Sequence, residues 1–245
     1  MKTKKLLRLV VLAMMVALGV VISPLLRIEG MCPMAHFINI VCAVLLGPWE
    51  SLLCAVLIGI IRMATMGIPP IALTGAVFGA FLSGVLYRTS KGNLLMAILG
   101  EVVGTGIIGA ILSYPVMTVF WGKEGLSWFF YVPSFICGTL IGGSVAYVFL
   151  KKLAANGALS KFQEKLGTST YRYQAGAFED SCLIAAVGVI GYLVVKVLHI
   201  LLNIQAVWLN WLAYITLTVF ILWSVVYYIF RKRSEQSGIE YHKKH

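Results

Sequence analysis

Glu101 is the residue of greatest chemical interest in this 245-residue chain, because it falls well inside the apolar run GEVVGTGIIGAILSYP, residues 100–115. It lies about ten residues into a segment long enough to span a bilayer, where an ionisable group costs several kcal/mol unless it is paired and where such groups mark binding sites or proton relays. Thr105, at i+4, shares its helical face. The competing reading makes Glu101 a structural ion pair with Arg62, and Arg62 itself equally suits snorkelling, since it sits about four residues, or roughly 6 Å, from the end of its run. His36 and Asn39 share a face at i, i+3, and Glu29 precedes them; together they are expected at a pocket mouth, the alternative for His36 being a packing role. Tyr114 and Tyr131 are the aromatic side chains expected to stack on a flat heterocycle, within a group (Phe120, Trp121, Trp128, Phe129, Phe130) that otherwise reads as an interfacial belt.

Other chemistry is thinly supplied. Among nine acidic residues Asp180 is the single aspartate, which leaves little material for two-carboxylate hydrolysis or for metal clusters. No GxxxxGK[ST], HExxH or GxSxG pattern occurs, so the chain shows no phosphate cradle for ATP and no hydrolase signature. The five cysteines are scattered without a CxxC pair and read as small core residues rather than a redox or metal set. No metal, cofactor or catalytic group is expected. Glu50, two residues after Pro48, reads as an anion placed in the first turn of a helix.

The elements that position these residues must be membrane helices. The chain is 60% hydrophobic and only 12% charged, with mean hydropathy +0.92, against roughly 25% charged for a soluble domain. Apolar segments fall at 6–24, 33–46, 48–66, 69–87, 92–120, 127–150, 181–202 and 207–230. The first is basic and then apolar like a signal peptide, but no A-x-A site follows it, and it is kept as a membrane helix. Gly47-Pro48 separates the second from the third in a tight hairpin. Residues 33–46 would reach only about 21 Å, short of the roughly 30 Å hydrocarbon core, so the stretch 24–34 is expected to dip below the outer surface and border a cavity.

The +11 formal charge reflects topology rather than nucleic-acid binding. Sixteen of the twenty Lys and Arg residues fall on one side if the N-terminus is inside, the exceptions being Arg27, Arg62, Lys123 and Lys196. Both termini are therefore expected in the cytoplasm. Gly75, Gly79 and Ser83, then Gly100 and Gly104, then Gly138, Gly142 and Ala146 form small-xxx-small faces, which predict close packing of the fourth, fifth and sixth segments. The last segment carries bulky side chains, with Trp208 and Trp211 near its start, and is expected to face lipid; Lys196 and His199 read as snorkelling. The resulting organisation is a core at 1–153, a polar linker at 154–180, a two-helix hairpin at 181–230 and a basic tail at 231–245.

Four stretches, RIEGMCPMAHFINIV (27–41), GPWES (47–51), GEVVGTGIIGAILSYP (100–115) and YVPSF (131–135), set in a six-helix frame, resemble the ThiW family. That family comprises substrate-binding S components of energy-coupling factor (ECF) transporters, and the likeness extends over about residues 6 to 153. The resemblance implies an all-α, polytopic bundle with a six-helix core in the bacterial cytoplasmic membrane. It further implies capture of a thiamine precursor, the thiazole moiety hydroxyethylthiazole, beneath the loop after the first helix. Docking on a membrane-embedded T component through an AxxxA face, here Ala13 and Ala17, and energy from two cytoplasmic ATPases are implied as well. The hairpin after residue 153 departs from the six-helix pattern. Two other classes stand beside this one: a stand-alone carrier with Glu101 as its proton site, and a structural or regulatory membrane subunit.

Overall fold

A computed structural model describes residues 2–25, 27, 31–171, 176–201 and 207–243. Glu29, expected at the pocket mouth beside His36, lies outside the described residues, as does the side chain of His199. The chain divides into two units, residues 1–173 and 174–245. Among the described residues, seven helices are long and apolar enough to cross a membrane, and an eighth apolar helix is shorter. The protein is thus an all-helical, multi-pass bundle.

In the first unit, α1 (Lys2–Ile22) is followed by α2 (Pro33–Leu45), α3 (Pro48–Met66) and α4 (Ile71–Thr89). Then come α5 (94–121), α6 (Val132–Ala155) and the short α7 (Ala158–Leu166). The second span is short, as its composition required: α2 has 13 residues, and buried side chains occupy nearly every position from Ile38 to Val44. A helix apolar on all sides belongs in the centre of a bundle, and α2 packs against α4 and α6.

Glycine and proline make the local boundaries. Gly47 has φ +110°, which an L side chain rarely adopts, and Pro48 opens α3. A Cβ at Gly47 would strike the guanidinium of Arg88, which packs over the turn and donates to the Leu46 carbonyl at 3.1 Å. Arg8 donates to that same carbonyl and pairs with Glu50. Glu50 therefore serves as an ion-pair partner of α1 in addition to its place in the first turn of α3. Asn93 caps α5 by accepting from the Met96 amide at 3.1 Å.

Within α5, Val102–Gly109 is π-helical, flanked by α-helical Leu94–Glu101 and Ala110–Trp121. Its glycines bring two backbones together. A Cβ at Gly100 would lie 2.6 Å from the Leu82 carbonyl, and one at Gly104 would lie 2.5 Å from the Phe78 carbonyl. The expected close contact of α4 with α5 is present. The small face of α6 turns elsewhere: Gly138 adjoins Met31, Cys32 and His36, and Gly142 adjoins Pro33 and Phe37. The sixth segment packs on α5 as expected, but its small face receives the start of α2, because α2 occupies the middle of the bundle.

Residues 154–171 are not a simple tether. In α7, Gln163 donates from Nε2 to the Val44 carbonyl at 3.0 Å and to the Tyr87 hydroxyl at 3.1 Å. Thr168 donates to the Leu45 carbonyl at 3.0 Å. These contacts give the ends of α2 and α4 polar partners.

The second unit is a helical hairpin, α8 (Ala177–Leu201) and α9 (Val207–Lys243). Ser224 donates to the Ser181 carbonyl at 2.7 Å, and Gly188 admits the ring of Phe220. Lys196, read from the sequence as snorkelling, donates to Asn210 at 2.8 Å with the Tyr192 and Tyr214 rings beside it. The helix α9 runs past the expected end at 230 into the basic stretch, and its side chains are largely exposed, as expected of a lipid-facing helix.

Candidate functional site

The end of the first unit opposite Arg8 and Glu50 contains a cavity of about 480 Å³. Each part of its wall comes from a different element. The chain between α1 and α2 contributes Arg27, Met31 and Cys32; α2 contributes Ala35 and His36; α3 contributes Arg62. The α3–α4 connection and α4 add Ile68, Pro69 and Gly75, while α5 and α6 add Met117 and Phe135, with Tyr131 just before α6. The volume lies within the range of small-molecule sites, and the wall is mainly apolar with a few polar groups, the usual composition of such sites.

Behind His36 lies a polar knot. Glu101, with no solvent exposure, is absent from the cavity wall. Its Oε1 lies 2.8 Å from His36 Nδ1 and accepts from Asn39 Nδ2 at 3.0 Å and from Thr105 Oγ1 at 3.1 Å. Ser83 Oγ lies 3.5 Å from Oε2. Donors converging in this way suit a carboxylate, which only accepts, and they keep the charge satisfied away from water. With Nδ1 held by Glu101, Nε2 is the nitrogen left for a partner elsewhere.

Glycine makes room for this knot. A Cβ at Gly79 would collide with Thr105 Oγ1 and with the Glu101 carboxylate. Gly138 lets α6 approach the His36 ring, where a Cβ would lie 3.3 Å from Nε2. The π-helical stretch begins one residue after Glu101. Such widened turns are frequent at functional sites and, at this position, the stretch carries Thr105.

The expected residues divide into three groups. His36, Arg62 and Tyr131 are on the cavity wall, whereas Asn39, Glu101 and Thr105 form the layer behind it. Tyr114 is off the wall and packs on Trp128 with ring centroids 4.7 Å apart. Arg62 does not pair with Glu101 and does not snorkel: it is 4% exposed, and its Nη2 donates to Cys32 Sγ at 3.6 Å. Ala13 and Ala17 are exposed on α1 and line a shallow apolar groove with Leu57 and Ile61 of α3.

Three contributors were not singled out from the sequence. Cys32 borders Arg62 instead of being a small core residue, Phe135 lies beside Tyr131, and Ser83 reaches Glu101. Gly75, Gly79 and Ser83 carried a signal in their i, i+4 spacing, which was read as helix packing alone. Of these, Gly79 and Ser83 also face Glu101 and Thr105.

Neither the curated proteins nor the solved structures contain a match to this chain. The model of one protein family, described as "Thiamine-precursor transporter protein (ThiW)", matches residues 9–156. That range holds most of α1 and all of α2 to α6, and with them the whole cavity wall and the buried Glu101 knot. The match spans more than half of the 245 residues, so the chain belongs to the ThiW family of thiamine-precursor transporter proteins.

Proposed function

We propose that the protein is the substrate-binding S component of an ECF-type importer, capturing a thiamine precursor from outside the cell and performing no chemistry of its own. The observation that carries this reading is the cavity, which is bordered by the loop after α1 and lies within the family-matched region. Hydroxyethylthiazole is the compound that the family likeness suggests. In this reading His36, Arg62 and Tyr131 contact the ligand, and Asn39, Glu101 and Thr105 hold His36 in position. Glu29 would belong to the loop above the cavity.

Energy would come from a membrane T component and two cytoplasmic ATPases, in keeping with the lack of a phosphate-binding loop in this sequence. The exposed Ala13 and Ala17 would let the T component approach α1 closely. Residues 1–153 would be the binding core in the bacterial cytoplasmic membrane, with 154–180 as linker, 181–230 as hairpin and 231–245 as basic tail, and both termini inside. Titrating the purified chain with hydroxyethylthiazole, the pyrimidine precursor and thiamine tests the reading. Heat on binding any of them supports it, and silence toward all three rejects it.

The Glu101–His36 pair favours a second reading, a proton-coupled carrier that needs no ATPase, because two adjoining ionisable side chains form a proton relay in many membrane carriers. Uptake in cells lacking the coupling module would select it over the first.

A further inference from the structure

We propose that the ligand carries an anionic group, a carboxylate or a phosphate ester, and that Arg62 is the residue that receives it. The proposal rests on the thiamine-precursor reading and, within it, puts an anionic relative of the thiazole in place of the neutral alcohol hydroxyethylthiazole.

Arg62 is the unusual feature of the cavity. Its side chain lies on the wall yet is 4% exposed, and its Nε has no hydrogen-bond partner. Its one hydrogen bond among the described residues is to the sulfur of Cys32, at 3.6 Å. A thiol is a weak acceptor and carries no charge to balance a guanidinium. Guanidinium remains charged at any physiological pH, so Arg62 cannot escape the cost of burial by losing its proton.

The nearby carboxylate does not serve it. Glu101 is bound by His36, Asn39 and Thr105, and it is absent from the wall. No Asp or Glu is among the described residues that line the cavity, whereas Arg27, exposed at its edge, adds a second positive charge. The described wall is therefore cationic. A second buried donor, the Tyr131 hydroxyl, also lies on it without a partner.

A planar fork of N–H donors matches a carboxylate or phosphate bidentately. A ligand anion would supply the missing counter-charge and accept from Nε and Nη2, while its ring would meet Tyr131 and Phe135. A neutral alcohol would offer an acceptor but no charge. An anion also has the greater need of a transporter, because burying its charge in hydrocarbon is far more costly than burying a hydroxyl.

Calorimetric titration of the full-length protein in detergent decides the matter, using hydroxyethylthiazole, the same ring bearing a carboxylate in place of the alcohol, and the phosphate monoester of the alcohol. At least one anion is expected to bind about tenfold more tightly than the alcohol or better, which is about 1.4 kcal/mol. The two anionic arms identify which group is used. Arg62→Gln should erase the preference for the anion while retaining binding of the alcohol, and Arg62→Lys should retain part of it. Should Arg62→Gln not fold, the wild-type comparison still decides. Equal or tighter binding of the alcohol overturns the proposal and leaves the thiamine-precursor reading standing. Failure of all three compounds and of thiamine rejects that reading and this one together.

Discussion

Glu101 Oε1 lies 2.8 Å from His36 Nδ1, joining α5 to α2 across 65 positions of sequence, with no part of Glu101 exposed to solvent. The pair puts the carboxylate one layer behind the cavity and the imidazole on its wall. Glu101 is thus a positioning residue: it accepts from Asn39 and Thr105 and holds the His36 ring, and its influence on a ligand passes through that ring.

Glu101→Gln retains the shape but replaces one carboxylate oxygen with a donor facing other donors. Ligand affinity is expected to fall roughly tenfold, or about 1.4 kcal/mol, in a titration of the purified variant. Unchanged affinity in a folded variant would show that the residue serves the helix packing alone.

Gly79→Ala should be more damaging than an ordinary glycine-to-alanine change in a helix, because the new methyl group collides with Thr105 Oγ1 and the Glu101 carboxylate. A loss of about 1–3 kcal/mol is expected from overpacking. The check is a lower thermal midpoint in detergent; a midpoint at or above that of the parent protein would mean that the polar knot yields easily.

Gln163→Leu tests whether α7 is part of the fold. It removes the donor to the Val44 carbonyl and the Tyr87 hydroxyl, leaving buried acceptors without partners at a cost of about 1–3 kcal/mol. Stability should drop while affinity for the ligand stays the same, since these contacts lie at the end of α2 remote from His36. A change in affinity with unchanged stability would contradict this division.

Ala13→Trp and Ala17→Trp place a large ring on an exposed face of α1. Binding to the purified chain should persist, and uptake by cells should stop. Uptake that survives both changes would move the partner contact to another face.

Ending the chain after residue 173 separates the two units at their natural division. The shortened protein should bind ligand as the full chain does. Ending it at 153 should instead destabilise it, because α7 and Thr168 are then lost from the ends of α2 and α4. Equal stability of the two truncations would show that α7 contributes little.

Which features were legible beforehand depends on how local they are. Hydropathy, the shortness of α2 and the Gly47-Pro48 turn are properties of neighbouring residues, and each agrees with the structure. The depth of Glu101 in its segment singled it out correctly as a buried charge. Its partner could not be found that way. Arg62 and His36 are both plausible counterparts by type, and the choice depends on the rotation of α2, α3 and α5 about their axes.

That rotation is decided by contacts between distant residues. Gly100 and Gly104 press α5 onto α4, and Gly138 and Gly142 admit the start of α2. Together they turn His36 and Asn39 toward Glu101 and leave Arg62 beside Cys32 on the cavity wall. The sequence by itself determined that the chain is a multi-pass membrane bundle with ionisable groups held inside it, because apolar length and charge spacing act along the chain. Only the tertiary structure decided which of these groups are satisfied and which face a cavity, because hydrogen bonds and close backbone approaches are made across helices, at distances in space that sequence spacing does not encode.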